Sequence, residues 1–156
     1  MGVDTDANGY EGYVIDVSRT FLCGDRPTPE QKEAYRVAYE CVTGMAEICK
    51  PGMTFEEFCY AAPRLPDKFK EQRYGSMVHQ AGLEDEGPGV PYPEDVEERG
   101  VRIPERTIRP NMILNLECYA GEVGASFGVK LEDQVLVTED GCEVLCTFPF
   151  EDVLLV

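Results

Sequence analysis

Met112-Ile113-Leu114-Asn115-Leu116-Glu117-Cys118-Tyr119 and Gly128-Val129-Lys130-Leu131-Glu132-Asp133-Gln134-Val135-Leu136-Val137 are the two runs whose reading decides the fold. Both are predicted strands, and the link between them, Gly121 to Gly124, is punctuated by glycine. Side chains of a strand alternate between its two faces. Leu114 and Leu116 therefore share one face, and on the partner strand Leu131, Val135 and Val137 share one. Asn115 and Glu117, with Lys130, Glu132 and Gln134, take the other. One face of the sheet is apolar and asks for a helical cover; the opposite face is polar. The midpoint between Glu117 and Glu132 falls inside the link, so an antiparallel pairing lets the two glutamates face each other.

The beginning of the chain repeats this pattern independently. Val3-Asp4-Thr5-Asp6-Ala7-Asn8-Gly9-Tyr10-Glu11-Gly12-Tyr13-Val14-Ile15-Asp16-Val17-Ser18-Arg19-Thr20-Phe21 reads as two extended runs around a glycine-punctuated centre. Asp4 and Asp6 share one strand face. A turn centred near Glu11 sets Asp6 opposite Asp16. Strands disfavour Asp, and facing carboxylates repel each other. A cation between them removes that cost, whereas a solvated polar face merely tolerates it. The lone histidine, His79, follows a segment from Arg73 that reads as a short strand. Asp6, Asp16, His79, Glu117 and Glu132, with Asp4 beside them, form a donor set of carboxylates and one imidazole. Divalent metals of hard or borderline character take such a set. The expectation is a two-metal site, with manganese, iron, cobalt and zinc all suited to the ligands.

Helices supply the cover. Thr28-Pro29-Glu30-Gln31 has a Thr cap, Pro in the first turn and Gln three residues past the cap. Ala34, Val37, Ala38, Cys41, Val42, Met45 and Ile48 then recur at helical spacing and form a core stripe. Lys50-Pro51-Gly52 stops this helix. Thr54 with Glu57 opens a second, which Pro63 and Pro66 interrupt. Gly82 to Gly100 reads as a long acidic loop. Thr138-Glu139-Asp140-Gly141 is a turn into a final strand. The order of hairpin, two helices, strand and hairpin defines an α+β layout.

The 156 residues match the length of one domain. A net charge of −16, from 30 acidic and 14 basic residues, argues against a nucleic acid or an anionic membrane as partner. With no membrane-length apolar run and no signal-peptide pattern, the expected location is cytoplasmic. The seven cysteines lack CxxC pairs and are expected to be reduced, mostly in the core.

Taken in order, these residues resemble those of the pita-bread metalloenzymes: methionine aminopeptidase, aminopeptidase P, prolidase and creatinase. The resemblance rests on Gly12 to Phe21, Lys50-Pro51-Gly52, the segment centred on His79, Leu116-Glu117, and Leu131-Glu132-Asp133 with Val137 to Gly141. It implies a curved antiparallel sheet backed by helices. Residues 1–156 would be a single, shortened portion of that catalytic domain, comprising the metal-bearing hairpin of its first half and the whole second half. The uncovered flank of the first hairpin is then expected to expose apolar surface. The resemblance also implies that Asp6, Asp16, His79, Glu117 and Glu132 ligate two ions, bridged by Asp16 and Glu132. Glu117 would shuttle a proton while water attacks a peptide bond. The substrate would be a dipeptide or another small molecule, and the assembly a homodimer.

Departures from the family pattern point to further chemistry. Glu86 stands where the peptidases usually place a second, substrate-contacting histidine, and Gln80 where a glycine usually follows the first. The spacing of Asp6 and Asp16 is similar to that of the subgroup containing a dimethylsulfoniopropionate lyase. That lyase also has a tyrosine and an aspartate at the positions of Tyr74 and Asp85 here. By this resemblance Asp85 is the base of an alternative lyase reaction, with Tyr74 beside it. A non-catalytic binding relative is the third reading, against which the complete ligand set counts.

Overall fold

The computed structural model describes residues 1–156 as an antiparallel sheet backed by helices. In chain order the strands are β1 (Gly2–Asp4), β2 (Ala7–Asn8), β3 (Val14–Ile15), β4 (Ser18–Thr20), β5 (Val78–Ala81), β6 (Gly89–Val90), β7 (Ile113–Ala120), β8 (Val129–Val137) and β9 (Cys142–Val144). The helices are α1 (Pro29–Ile48), α2 (Phe55–Ala61), α3 (Pro93–Arg99) and α4 (Asp152–Leu155). The main sheet runs β1-β4-β8-β7-β5-β6. β9 pairs the far end of β8, beyond β4, and β2 with β3 forms a small ladder of its own.

The β7–β8 pair is the centre of the molecule. Its register sets Glu117 directly opposite Glu132, and Leu116 opposite Asp133. The apolar face lies under α1, where Leu114, Leu116, Leu131, Val135 and Val137 join Ala34, Ala38, Val42 and Met45 in one core. α1 begins as its sequence demands. The Thr28 hydroxyl accepts from the Gln31 N–H, and the Gln31 side chain accepts from the Thr28 N–H. The same reciprocal cap, Thr54 with Glu57, starts α2. Each cap satisfies two N–H groups that the helix itself leaves without partners.

The first hairpin keeps the expected register but not a continuous ladder. Asp4 pairs with Ser18 and Ala7 with Ile15, which places Asp6 and Asp16 across from each other. Between these ladders Asp6 turns into the left-handed region, at φ 32°. There the Thr5 hydroxyl replaces the backbone bonds: it donates to the Ile15 carbonyl at 2.9 Å and accepts from the Val17 N–H at 2.9 Å. At the tip, Glu11 and Gly12 are both left-handed, which turns the chain. The outer flank exposes Val3 (44%), Ile15 (48%) and Phe148 (56%).

Two expectations are corrected. Arg73 to His79 is not a strand throughout, because β5 starts only at Val78. Arg73 instead pairs with Asp95 at 2.9 Å and lies over the Tyr92 ring. Nor is Gly82 to Gly100 an unstructured loop, since it contains β6 and α3. Pro93 occupies the first turn of α3, Glu94 and Asp95 follow it, and Gly100 caps the end at φ 68°. All seven cysteines are free; Cys41, Cys49, Cys59 and Cys118 are buried and Cys23 is exposed. No helix is long and apolar enough to cross a membrane.

Candidate metal centre

The polar face of the sheet gathers the acidic residues into one cleft. Asp16 leaves the first hairpin just before β4; His79 projects from β5, Glu117 from β7 and Glu132 from β8. His79 pairs with Asn115 in register, so the imidazole and both glutamates stand on adjacent strands. His79 Nε2 lies 3.4 Å from Asp16 Oδ2, 3.4 Å from Glu132 Oε1 and 4.0 Å from Glu117 Oε1. Asp16, His79 and Glu132 form a buried group; Asp4, Asp6 and Asp16 form a second, more exposed one. Asp16 belongs to both.

Donor atoms at this spacing suit a shared ion. Two bonds of about 2.1 Å meeting at a tetrahedral angle place their donors about 3.4 Å apart. Two donors also lack any partner in the protein: Asp16 Oδ1 and Glu132 Oε1 are buried without a hydrogen bond. Leaving buried polar atoms unsatisfied is costly. The residues present therefore fit divalent ions, in donor chemistry and in what they leave unpaired.

The electrostatics show the same tension. Burial favours a neutral His79, but Asp16, Glu132 and Glu117 outweigh it and push the imidazole up to about 11. Burial and then Glu132 raise Glu117 to about 7, although Lys130 and His79 oppose the rise. Desolvation and the charges of Asp4 and Asp16 also raise Asp6. Without an ion, the cluster holds protons to relieve its crowded charge.

Several partners emerged only with the fold. Lys130, on the polar face of β8, ion-pairs with Asp4 and lies 3.0 Å from Glu132 Oε2 and 3.6 Å from Glu117 Oε2. The Ser18 hydroxyl lies 2.7 Å from Asp4 Oδ1 and 3.0 Å from Glu132 Oε2, and donates to one at a time. Asn115 donates to Asp16 Oδ2 at 2.8 Å, and Gln134 donates to Asn115 at 3.1 Å, which fixes the aspartate's orientation. On the opposite face the buried Arg19–Asp133 pair, 2.6 Å apart, ties β4 to β8, and Arg19 also donates to the Glu132 carbonyl at 2.7 Å. The alternation pattern had already placed Asn115, Lys130 and Gln134 on the polar face, but it assigned them no partners.

The residues of the lyase reading are placed unequally. Tyr74 lines the cleft, and its ring is tilted against Tyr119 with centroids 5.6 Å apart. Tyr119 in turn packs so closely on Gly128 that a Cβ there would come within 2.0 Å of its hydroxyl. Glu86 lines the cleft as well. Asp85, its neighbour in the chain, is not among the residues lining the cleft; it is half-buried, with one carboxylate oxygen unpartnered. Desolvation and the charges of Asp16 and Asp6 raise its pKa.

A helix-backed antiparallel sheet that collects carboxylates and one histidine on its open face defines the pita-bread class of metalloenzymes. The solved prolidase of Pyrococcus horikoshii superposes with a TM-score of 0.76 at 27% identity, over 96% of this chain and 40% of that one. The chain belongs to metallopeptidase family M24, whose model matches residues 2–139. It is 39% identical over 156 residues to the dimethylsulfoniopropionate lyase DddP of Roseovarius nubinhibens, covering 99% of this chain and 34% of the lyase. It is 35% identical over 143 residues to the Xaa-Pro dipeptidase of Pyrococcus furiosus, covering 87% of this chain and 36% of the dipeptidase. The chain thus spans about a third of the length of these curated relatives.

Proposed function

We propose that this chain is the metal-bearing part of a two-ion hydrolase of the Xaa-Pro dipeptidase type. The observation that carries the reading is the convergence of Asp4, Asp6, Asp16, His79, Glu117 and Glu132 on one cleft, with buried donor atoms left unpaired. Asp16, His79, Glu117 and Glu132 would hold one ion, and Asp6, Asp16 and Glu132, with Asp4, the other. When bound, such ions polarise a carbonyl oxygen and make water acidic enough to serve as a nucleophile near neutral pH. Asn115 and Gln134 keep Asp16 in place for this role. Glu117, which lies between His79 and Lys130 at the cleft, would accept a proton from the attacking water and return it to the leaving amine. A homodimer, in keeping with the family resemblance, belongs to the same proposal.

A second reading has its own support. Tyr74 lines the cleft, Asp85 precedes the cleft-lining Glu86 in the chain, and the lyase relative matches nearly the whole chain. In this reading Asp85, unpartnered and raised in pKa, removes a proton alpha to the substrate carboxylate, and the ions anchor that carboxylate. One assay separates the two: the metal-loaded chain is given an Xaa-Pro dipeptide and, separately, dimethylsulfoniopropionate. Proline release that falls at least about a hundredfold in Glu117→Gln is the expected result. Dimethyl sulfide release that is lost in Asp85→Asn would establish the lyase instead. Neither product from chain loaded with its ions would contradict both.

A further inference from the structure

We propose that Lys130 is the protein's own cation at this centre, and that it competes with the second ion and so sets the order of loading. The inference rests on the two-ion reading above and deepens it. Its basis is how the carboxylate oxygens are shared out. Glu132 Oε1 faces His79 and has no hydrogen-bond partner, whereas Glu132 Oε2 faces Lys130 and Ser18. No bond of Lys130 involves Asp16 or His79. Glu117 is divided the same way, with Oε1 toward His79 and Oε2 3.6 Å from Lys130, so an ion can enter among Asp16, His79, Glu117 and Glu132 through the oxygens turned away from the ammonium.

The exposed group is different. It includes Asp4, and Lys130 is ion-paired to Asp4 Oδ2. Ser18 lies between Asp4 and Glu132 and donates to either one. A divalent ion arriving among Asp4, Asp6 and Asp16 meets a positive charge already paired with one of its ligands. At a half-buried site, where screening by water is incomplete, such repulsion weakens the ion by at least roughly tenfold. The lysine also has somewhere to go. Its Nζ already lies over the Tyr74 ring, 5.2 Å from the centroid, and Tyr74 opens to the cleft, so the flexible stem can keep this aromatic contact while the ammonium swings away from Asp4. Without metal, Lys130 holds Asp4, Glu117 and Glu132 together. With the second ion bound, it is surplus charge.

The test titrates Mn²⁺ or Zn²⁺ into the wild-type chain, Lys130→Met, Lys130→Gln and Lys130→Arg, with stoichiometry and affinity read by calorimetry and thermal unfolding followed in parallel. The wild type is expected to bind two ions stepwise with unequal affinity. The neutral variants should bind the first within about threefold of wild type and the second at least about tenfold tighter. Lys130→Arg should behave as wild type. Free of metal, the neutral variants should melt below the wild type, and saturating metal should remove that deficit. A neutral variant that folds but binds the second ion no tighter overturns the inference while leaving the two-ion reading standing. A wild type that binds no ion overturns both. A readout that needs no variant is the ¹⁵N signal of the Lys130 ammonium during zinc titration. It should move at the second equivalent; movement complete at the first contradicts the proposed order.

Discussion

Both hairpins of this chain bring opposed carboxylates to the same cleft, but they are built differently. β7 and β8 pair without a break from Ile113 with Leu136 to Ala120 with Val129, and their apolar face is sealed under α1. Glu132 is fully buried there. The first hairpin is interrupted at Asp6, where a side chain, Thr5, stands in for the backbone ladder, and its outer flank is exposed. The difference teaches how a charged centre is divided. Donors on the continuous pair are fixed by a core that exists for reasons of packing. Donors on the interrupted pair depend on a few hydrogen bonds and on whatever cation lies between them.

Mutation should expose this division. Leu116→Ala, in the sealed core, should cost about 2–5 kcal/mol in chemical denaturation, whereas Ile15→Ala on the open flank should stay within about 0.5 kcal/mol. Equal costs at the two sites would erase the distinction. At the centre itself, Asp6→Asn should weaken the second ion at least roughly a hundredfold in calorimetric titration and leave the first almost unchanged. A comparable loss of both ions would mean that the two groups act as one.

Acidity sharpens the comparison further. Ions can bind only where protons leave, so affinity must rise with pH. His79, raised to about 11, and Glu117, raised to about 7, both hold protons below pH 7. Affinity of the first ion should climb about tenfold per pH unit for each proton displaced, more steeply below about pH 7 than above it. In the metal-free chain the sign is opposite. The stability contributed by protonated His79 is complete below about 6.5 and lost as the pH rises through about 11. A pH-independent affinity would rule out His79 and Glu117 as ligands. The smallest effect is expected of Thr5→Val, which removes the hydroxyl bridging the break: about 1 kcal/mol of stability, with a weaker second ion. No change in either would show that the break is held by something else.

Much of this could be read in the sequence, for identifiable reasons. Period-two alternation and short links fix strand register, so the facing of Glu117 with Glu132, and of Asp6 with Asp16, followed from residue spacing. Thr28 and Thr54 announced their helices because a capping box is local. α3 lies inside the stretch that reads as an acidic loop rich in proline and glycine, yet Pro93 in a first turn and Gly100 after a last turn mark a helix's ends. Arg73 was placed in a strand because its side-chain partner, Asp95, lies on that unrecognised helix. At the centre, the donor residues were legible by type. The groups that hold them were not: Ser18 meets Glu132, and Arg19 meets Asp133, only once β4 pairs with β8. No local signal in the chain encodes that pairing.

The central claim is that one cleft, shared by two unlike hairpins, holds two ions through a common aspartate. Metal content of the purified chain, measured after equilibrium dialysis against manganese or zinc and compared with Asp16→Asn, tests it most directly. Close to two ions per chain are expected in the wild type and loss of both in the variant, because Asp16 belongs to each group. A wild type that retains no ion, or an Asp16→Asn variant that retains both, would contradict it.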